Sequence, residues 1–272
     1  MPSEPGPRWL ARAGLPGLAA TLGDGAHGWM STRVGGVSVG PWAALNLGDH
    51  VGDDPQAVAT NRARLEAALG VRPVWLRQVH GVDVVRVDGG TPPGPVADAA
   101  WTDAPGVACV VLVADCLPIL VASQDGASVA AVHAGWRGLL GQGGVGVLES
   151  LAQAWPAWRQ PRDRARSRAW IGAAIGAQAF EVGPEVQAAF VQACPDDASA
   201  FVPSPQRPGH WLADLAALAR ARLRRLGVEC VDGHDGSTAW CTAAQPDVFF
   251  SHRRDARPHG TSGRMAAAVW LA

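Results

Sequence analysis

Several stretches of this chain are apolar at consecutive positions. Residues 107–114 read VACVVLVA and residues 129–133 read VAAVH, with no polar side chain before the last position. Such runs predict strands covered on both faces. Segments 74–80, 82–87, 119–122, 169–175, 248–252 and 266–271 read as further strands. Helical periodicity is clearest after Asp53-Asp54-Pro55, where a carboxylate can cap and proline suits the first turn. There Val58, Leu65, Ala68 and Leu69 make an apolar face, and Gly70 stops the helix. A second helix is expected from about Asp214 to Leu226, with Leu215, Leu218, Leu223 and Leu226 inward and Gly227 as the stop. A third, shorter one is expected from Pro184 to Cys194. Covered strands mixed with amphipathic helices predict an α/β (α+β) layered sandwich, mixed β-sheets flanked by helices.

Composition narrows the classes. The chain has 272 residues, 48% of them hydrophobic and 17% charged, with a net charge of −1. Disorder and a general nucleic-acid role are both disfavoured. All 23 basic residues are arginine, so Schiff-base or P-loop lysine chemistry is excluded. The basic run 159–168 (RQPRDRARSR) reads as a solvated connection, and the Gly/Pro-rich stretch 88–95 as a surface loop. Five widely spaced cysteines without a CxxC, and an N-terminus without an apolar signal core, predict reduced thiols in a cytoplasmic setting. The longest apolar stretch, 107–122, is broken by Asp115 and Pro118, so no membrane span is expected.

His80, Cys116 and His133 share a setting. Each follows or ends an apolar strand, and a glycine or proline comes next at Gly81, Pro118 and Gly135. Strands that end together can aim such residues into one cleft. Two imidazoles and a thiolate suit zinc, and three protein ligands with a fourth position open are the arrangement of a catalytic ion. The gaps of 35 and 16 residues are unlike a short ligand loop, so spacing alone favours a small apolar cysteine and two satisfied core histidines over a metal site.

The segments GGVSVGPWAALNLGDHVGDD, RQVHGVDVV, ADCLPILVA, VAAVHAGWRG, IGAAIGAQAFEVG, FFSHRRD and TSGRMAAAVWL occur in this order. In this the chain closely resembles the YfiH family, once described as a multicopper polyphenol oxidase "laccase" and now as multifunctional purine nucleoside enzymes. The resemblance spans about residues 28–271. It implies a single YfiH-like domain over 1–272, with 1–26 as an N-terminal extension, and Zn2+ held by His80, Cys116 and His133. It also implies phosphorolysis of adenosine, inosine or methylthioadenosine and hydrolytic deamination of adenosine, and, in some bacterial relatives, editing of a peptidoglycan precursor. Implied partners are purine nucleosides and phosphate, with no obligate protein partner, hence a monomer.

Within those motifs Arg137 is the expected phosphate ligand, because its fork can bind two oxygens at once. Arg33, Arg254 and Arg264 are its expected companions. Asn46, Gln78, Asp98 and Asp103 are the expected contacts to base and ribose. Asp115, beside Cys116, is expected to orient a ligand or a water. Trp136 is a possible stacking surface for a purine. The other six histidines are given no metal role, with His50 open to facing the pocket. The chain departs from the family pattern at Ala173, Ala177 and Gln178, where prolines and cysteines are usual, and at His252, where tyrosine is usual. An insertion, ARPHGTS, stands before Gly263-Arg264.

Two other readings use the same residues. Cys116 can be a hydrolase nucleophile with His133 as its base, for example on a peptidoglycan precursor. Alternatively, the chain can bind nucleosides without turning them over. Eight scattered histidines without HxH pairs are too few for a multicopper oxidase.

Overall fold

The computed structural model describes residues 6–272. In chain order the strands are β1 (Gly17–Ala20), β2 (Ala26–Ser31), β3 (Arg72–Trp75), β4 (Val84–Arg86), β5 (Ala99–Thr102), β6 (Val107–Val113) and β7 (Leu117–Ala122). They continue with β8 (Val129–Ala134), β9 (Arg168–Ile171), β10 (Glu181–Val182), β11 (Phe201–Pro203), β12 (Trp211–Ala213), β13 (Cys230–Gly233) and β14 (Met265–Leu271). The helices are α1 (Pro55–Leu69), α2 (Trp136–Leu140), α3 (Val147–Ala154), α4 (Pro161–Arg166), α5 (Pro184–Ala193), α6 (Leu215–Arg225) and α7 (His252–His259).

Two large mixed sheets carry the fold, one in the order β1-β2-β14-β6-β3 and the other in the order β13-β9-β7-β8-β5-β4. A small sheet, β10-β12-β11, stands apart from them. The uniform apolar runs have a direct cause. In β6, Cys109, Val111 and Val113 pack toward Leu120, Val129 and Ala131 of the second sheet. The alternate positions Ala108, Val110 and Leu112 pack on Leu65, Ala68 and Leu69 of α1. In β7 and β8, Ile119, Val121 and Val132 face a third cluster supplied by α3, α5 and α6, including Leu151, Phe190 and Leu218. Helix, sheet, sheet and helices therefore stack in layers, and both faces of each central strand are dry.

Helix caps match the sequence pattern. Asp54 accepts from Gln56 N at 3.0 Å, and α1 ends at Gly70 with φ 71°. Asp214 accepts from Ala217 N at 2.8 Å to start α6. Strand 74–80 stops at Trp75, because Gln78 takes over the next pairing with its side chain instead of its backbone. Strand 169–175 starts one residue earlier and ends at Ile171. Segment 248–252 is not a strand: Ser251 Oγ accepts from Arg254 N at 3.2 Å and opens α7. In the basic run, 161–166 is helix α4, and Arg164 donates to the carbonyls of Trp158 and Leu226. Residues 17–20, inside the expected extension, form the edge strand β1. Among the described residues no helix is long and apolar enough to cross a membrane.

Candidate metal centre and its cavity

His80, Cys116 and His133 come together where β8, the β6–β7 turn that crosses between the two sheets and the loop after β3 meet. His133 lies within β8, opposite Pro118, on the same side as Val129 and Ala131. Cys116 is in the three-residue turn from β6 to β7 (Ala114, Asp115 and Cys116), and His80 is in the loop after β3. One of these positions and the neighbour of another use uncommon backbone: His80 has φ 60° and Asp115, next to Cys116, has φ 88°. Left-handed backbone at residues with a side chain costs energy and persists only where the surroundings enforce it.

One donor atom from each of the three residues lies within 4.8 Å of the others. The edge of a zinc tetrahedron with nitrogen and sulfur ligands is about 3.5 Å, so small side-chain rotations bring the set to bonding distance. The two imidazole rings sit nearly perpendicular, centroids 4.8 Å apart. Burial alone would raise the Cys116 thiol, but His133 and His80 beside it reverse this and hold it down at about 6. Burial likewise opposes charge on His133, yet Cys116 and Asp98 raise it to about 9. The pair favours thiolate and imidazolium, and a cation of the right softness can replace the imidazolium's charge. Cys109, buried in the core with no such neighbour, is pushed the other way. Donor chemistry and placement both fit a borderline-soft metal ion.

The three donors sit on the wall of a cavity of about 960 Å³. Arg137 and Arg264 line it, as do Gln78 and Asp115. The guanidinium of Arg137 lies 4.5 Å from the ring of Trp136 and is exposed to the cavity. Arg264 is oriented from behind: its backbone N–H donates to Asn46 Oδ1 at 2.9 Å, and its Nη1 donates to Ser262 and Gly263. Burial lowers its pKa, while Cys116 and Asp115 pull the other way. Asp115 accepts from the Thr242 hydroxyl at 2.5 Å and from Arg253 N at 2.6 Å. It thereby ties the Cys116 turn to the start of α7.

Several expected substrate contacts are placed elsewhere. Gln78 lines the cavity, but both ends of its amide are spent on Leu112: Nε2 donates to its carbonyl at 2.9 Å and Oε1 accepts its N–H at 2.7 Å. Asn46 is fully buried and satisfied by Gly48, Asp53 and Arg264. Asp98 is fully buried beneath the donors, 2.8 Å from His133 Nδ1, so it touches the site and not a substrate. Asp103 is on the surface, paired with Arg86 at 2.6 Å. Arg33 donates to the carbonyls of Ala43 and Pro246 and lies over Phe250, away from the cavity. Arg254 is likewise spent on the carbonyls of Thr242 and Phe249 and on Asp255.

Other residues take their places. Arg253, not Arg254, lines the cavity, its guanidinium 5.5 Å from the ring of Phe180, which also faces inside, while its Nη1 donates to the carbonyls of Glu181 at 3.0 Å and Ala179 at 3.4 Å. The adjacent arginines of FFSHRRD gave no means of choosing until the start of α7 fixed their direction. His252, Arg62 and Arg77 line the cavity too, as does His50. Burial lowers the pKa of His252, with Arg264 adding to the effect. Arg62 lies 4.4 Å over Trp75 and 3.1 Å from Asp49. His252 and Arg253 share the FFSHRRD segment and Arg77 and His50 stand in two others, but Arg62 lies outside all of them, and only the fold brings the set to one cavity.

The family model for multi-copper polyphenol oxidoreductase laccase matches residues 27–272. A Pseudomonas aeruginosa protein named purine nucleoside phosphorylase PA4543 is 48% identical over 89% of this chain and 92% of its own length. Purine nucleoside phosphorylase YfiH of Escherichia coli K12 is 45% identical over 89% and 92%. The crystal structure of Neisseria meningitidis protein NMB0706 superposes with a TM-score of 0.82 at 41% identity, covering 94% of this chain and 98% of that one. YlmD from Geobacillus stearothermophilus gives 0.76 at 31% identity over 100% and 98%. Sequence, layers and the His-Cys-His cluster thus agree with the motif-level resemblance, and the chain belongs to the YfiH family, the one whose model carries the laccase description.

Proposed function

We propose that this chain is a zinc-dependent purine nucleoside phosphorylase that also deaminates adenosine. The observation that carries the reading is the meeting of His80, Cys116 and His133 on the wall of a 960 Å³ cavity that also presents Arg137, Arg253 and Arg264. The names of the relatives supply the substrate class. Adenosine, inosine and methylthioadenosine are the proposed nucleosides. The chain acts as a single YfiH-like domain and a monomer in the cytoplasm.

The residues divide the work. Arg137, Arg253 and Arg264 hold phosphate as a dianion against the sugar, in a site shielded enough to strengthen their pull. A phosphate oxygen forms the new bond to the anomeric carbon as the bond to the purine nitrogen breaks, and the base leaves with a proton. Trp136 and Phe180 offer flat faces to the base. His80, Cys116 and His133 hold zinc, which when bound supplies the Lewis acidity suited to hydrolysis at the purine amino carbon.

A second reading rests on one further distance. Cys116, His133 and Asp98 form a row of thiol, imidazole and carboxylate, the last two 2.8 Å apart, which is the order of nucleophile, base and orienting acid in a cysteine hydrolase. Metal content separates the two readings. Stoichiometric zinc in protein purified without added metal supports the first, since a coordinated thiolate is not a free nucleophile. The defining experiment incubates the protein with adenosine, inosine and methylthioadenosine, with and without phosphate, and identifies products. Ribose 1-phosphate formed only with phosphate supports phosphorolysis, and inosine from adenosine supports deamination. Thermal stabilisation by nucleosides with no product would leave a binding protein.

A further inference from the structure

We propose that Asp98 is the positioning residue of the metal centre, one buried carboxylate that sets both imidazole donors at once. The inference rests on the metal reading above and concerns the protein's own groups around that ion.

The carboxylate receives four donors. Oδ1 lies 2.8 Å from His133 Nδ1 and accepts the backbone N–H of His80 at 3.0 Å. Oδ2 accepts the backbone N–H groups of Gly81 at 2.7 Å and Val79 at 3.2 Å. The carbonyl of Asp98 also accepts from His133 N at 2.7 Å. Its side chain is fully buried, so water does not compete for these bonds.

Each contact has a consequence for a donor atom. An ionised carboxylate only accepts, so its bond to Nδ1 fixes a proton there and makes Nε2, on the Cys116 side, the nitrogen that would give up the imidazolium's second proton to a metal ion. Three successive N–H groups converging on one carboxylate hold the 79–81 backbone in its turn. That turn contains the left-handed His80, which swings its imidazole toward Cys116. One residue therefore selects the tautomer of one ligand and the backbone of the other, and outer partners of this kind typically govern affinity by about 10–100-fold. Asparagine has nearly the same shape but presents an NH2 to at least one of the four donors.

The test compares parent protein, Asp98→Asn and Asp98→Glu by zinc affinity in chelator competition, with thermal melting alongside. Asp98→Asn is expected to lose 10- to 100-fold in zinc affinity while still folded, and Asp98→Glu to recover part of it. A folded Asp98→Asn with affinity within about twofold of the parent overturns the proposal. A purely structural role would lower the melting temperature without moving the affinity of the folded protein. If Asp98→Asn does not fold, nitrogen-15 spectra of the zinc-loaded parent decide: a proton on His133 Nδ1 supports the proposal, and a proton on Nε2 overturns it. A parent that binds no zinc at all refutes the metal reading instead, a separate outcome.

Discussion

A β-carbon placed on Gly135 would lie 3.0 Å from Cys116 Sγ and 3.2 Å from His80 Cδ2. The HAGW segment thus needs glycine for space at the two donors, since Gly135 itself has ordinary φ of −69°. Gly135→Ala is expected to push the thiol and the imidazole apart, with zinc per chain falling well below one. The stability loss is expected to be about 1–3 kcal/mol, the usual cost of overfilling a packed site. Metal analysis and a thermal melt on the same sample check both numbers; full zinc occupancy would mean that the site tolerates the extra carbon.

Cys116 offers a pH signature. Its thiol is held down at about 6 against an ordinary 9.0, so the thiolate persists above pH 6 and is lost as pH falls through that value. His133, raised to about 9, keeps its proton up to that value, so thiolate and imidazolium coexist between the two values. The opposite shifts give opposite slopes of stability against pH that largely cancel, and the signature is the ionisation of the thiol rather than the stability of the fold. After chelator treatment, alkylation of Cys116 followed by mass spectrometry is expected to rise with a midpoint near pH 6. A midpoint near 9 would contradict the pairing. Cys116→Ala is expected to abolish metal binding and turnover while the protein stays folded.

The layered fold was legible because the code for it is local. Runs such as VACVVLVA state that a strand is covered twice, and Asp54, Pro55 and Gly70 mark both ends of α1. The three donors were legible as a shared setting and as family motifs, though spacing alone left them open. What was not legible depends on direction. Arg253 and Arg254 are indistinguishable in sequence, and only the first turn of α7 sends one to the cavity wall, beside the carbonyls of Ala179 and Glu181, and the other back onto the carbonyls of Thr242 and Phe249. Gln78 and Asn46 read as substrate contacts because they are polar groups beside strand ends, within the segments that carry the resemblance. In the fold the gaps they fill are in the protein's own backbone pairing, at Leu112 and at Gly48 and Arg264.

Those two arginines make a matched experiment. Arg254→Ala removes donors to two carbonyls and a carboxylate and is expected to destabilise the protein by roughly 2–3 kcal/mol. Arg253→Ala also removes donors to two carbonyls, those of Ala179 and Glu181, but no ion pair, so it is expected to cost less stability while raising KM for phosphate, since that side chain lines the cavity. Arg137→Ala is expected to impair the phosphate-dependent reaction more than deamination. Equal losses in both reactions would remove Arg137 from the phosphate site. Melting curves and the two assays on the three variants sort structural from binding roles.

A second acid-sensitive group is expected outside the lining of the cavity. His234 is buried, with 1% of its surface exposed; its Nδ1 accepts from Gly236 N at 3.2 Å and its Nε2 has no partner. Burial lowers its pKa from 6.5, outweighing Asp214 and Asp235 nearby, while Arg220 adds to the lowering. A folded state that resists taking up a proton loses stability as pH falls below the unfolded value of 6.5, because the unfolded chain binds the proton and the folded one does not. Stability is therefore expected to hold above pH 6.5 and to decline below it, until the folded-state pKa is passed. His234→Asn keeps an acceptor for the Gly236 N–H and has nothing to titrate. Urea unfolding at pH 5 and pH 7.5 should show a smaller difference for the variant than for the parent. Equal differences would move the acid-sensitive group elsewhere in the protein.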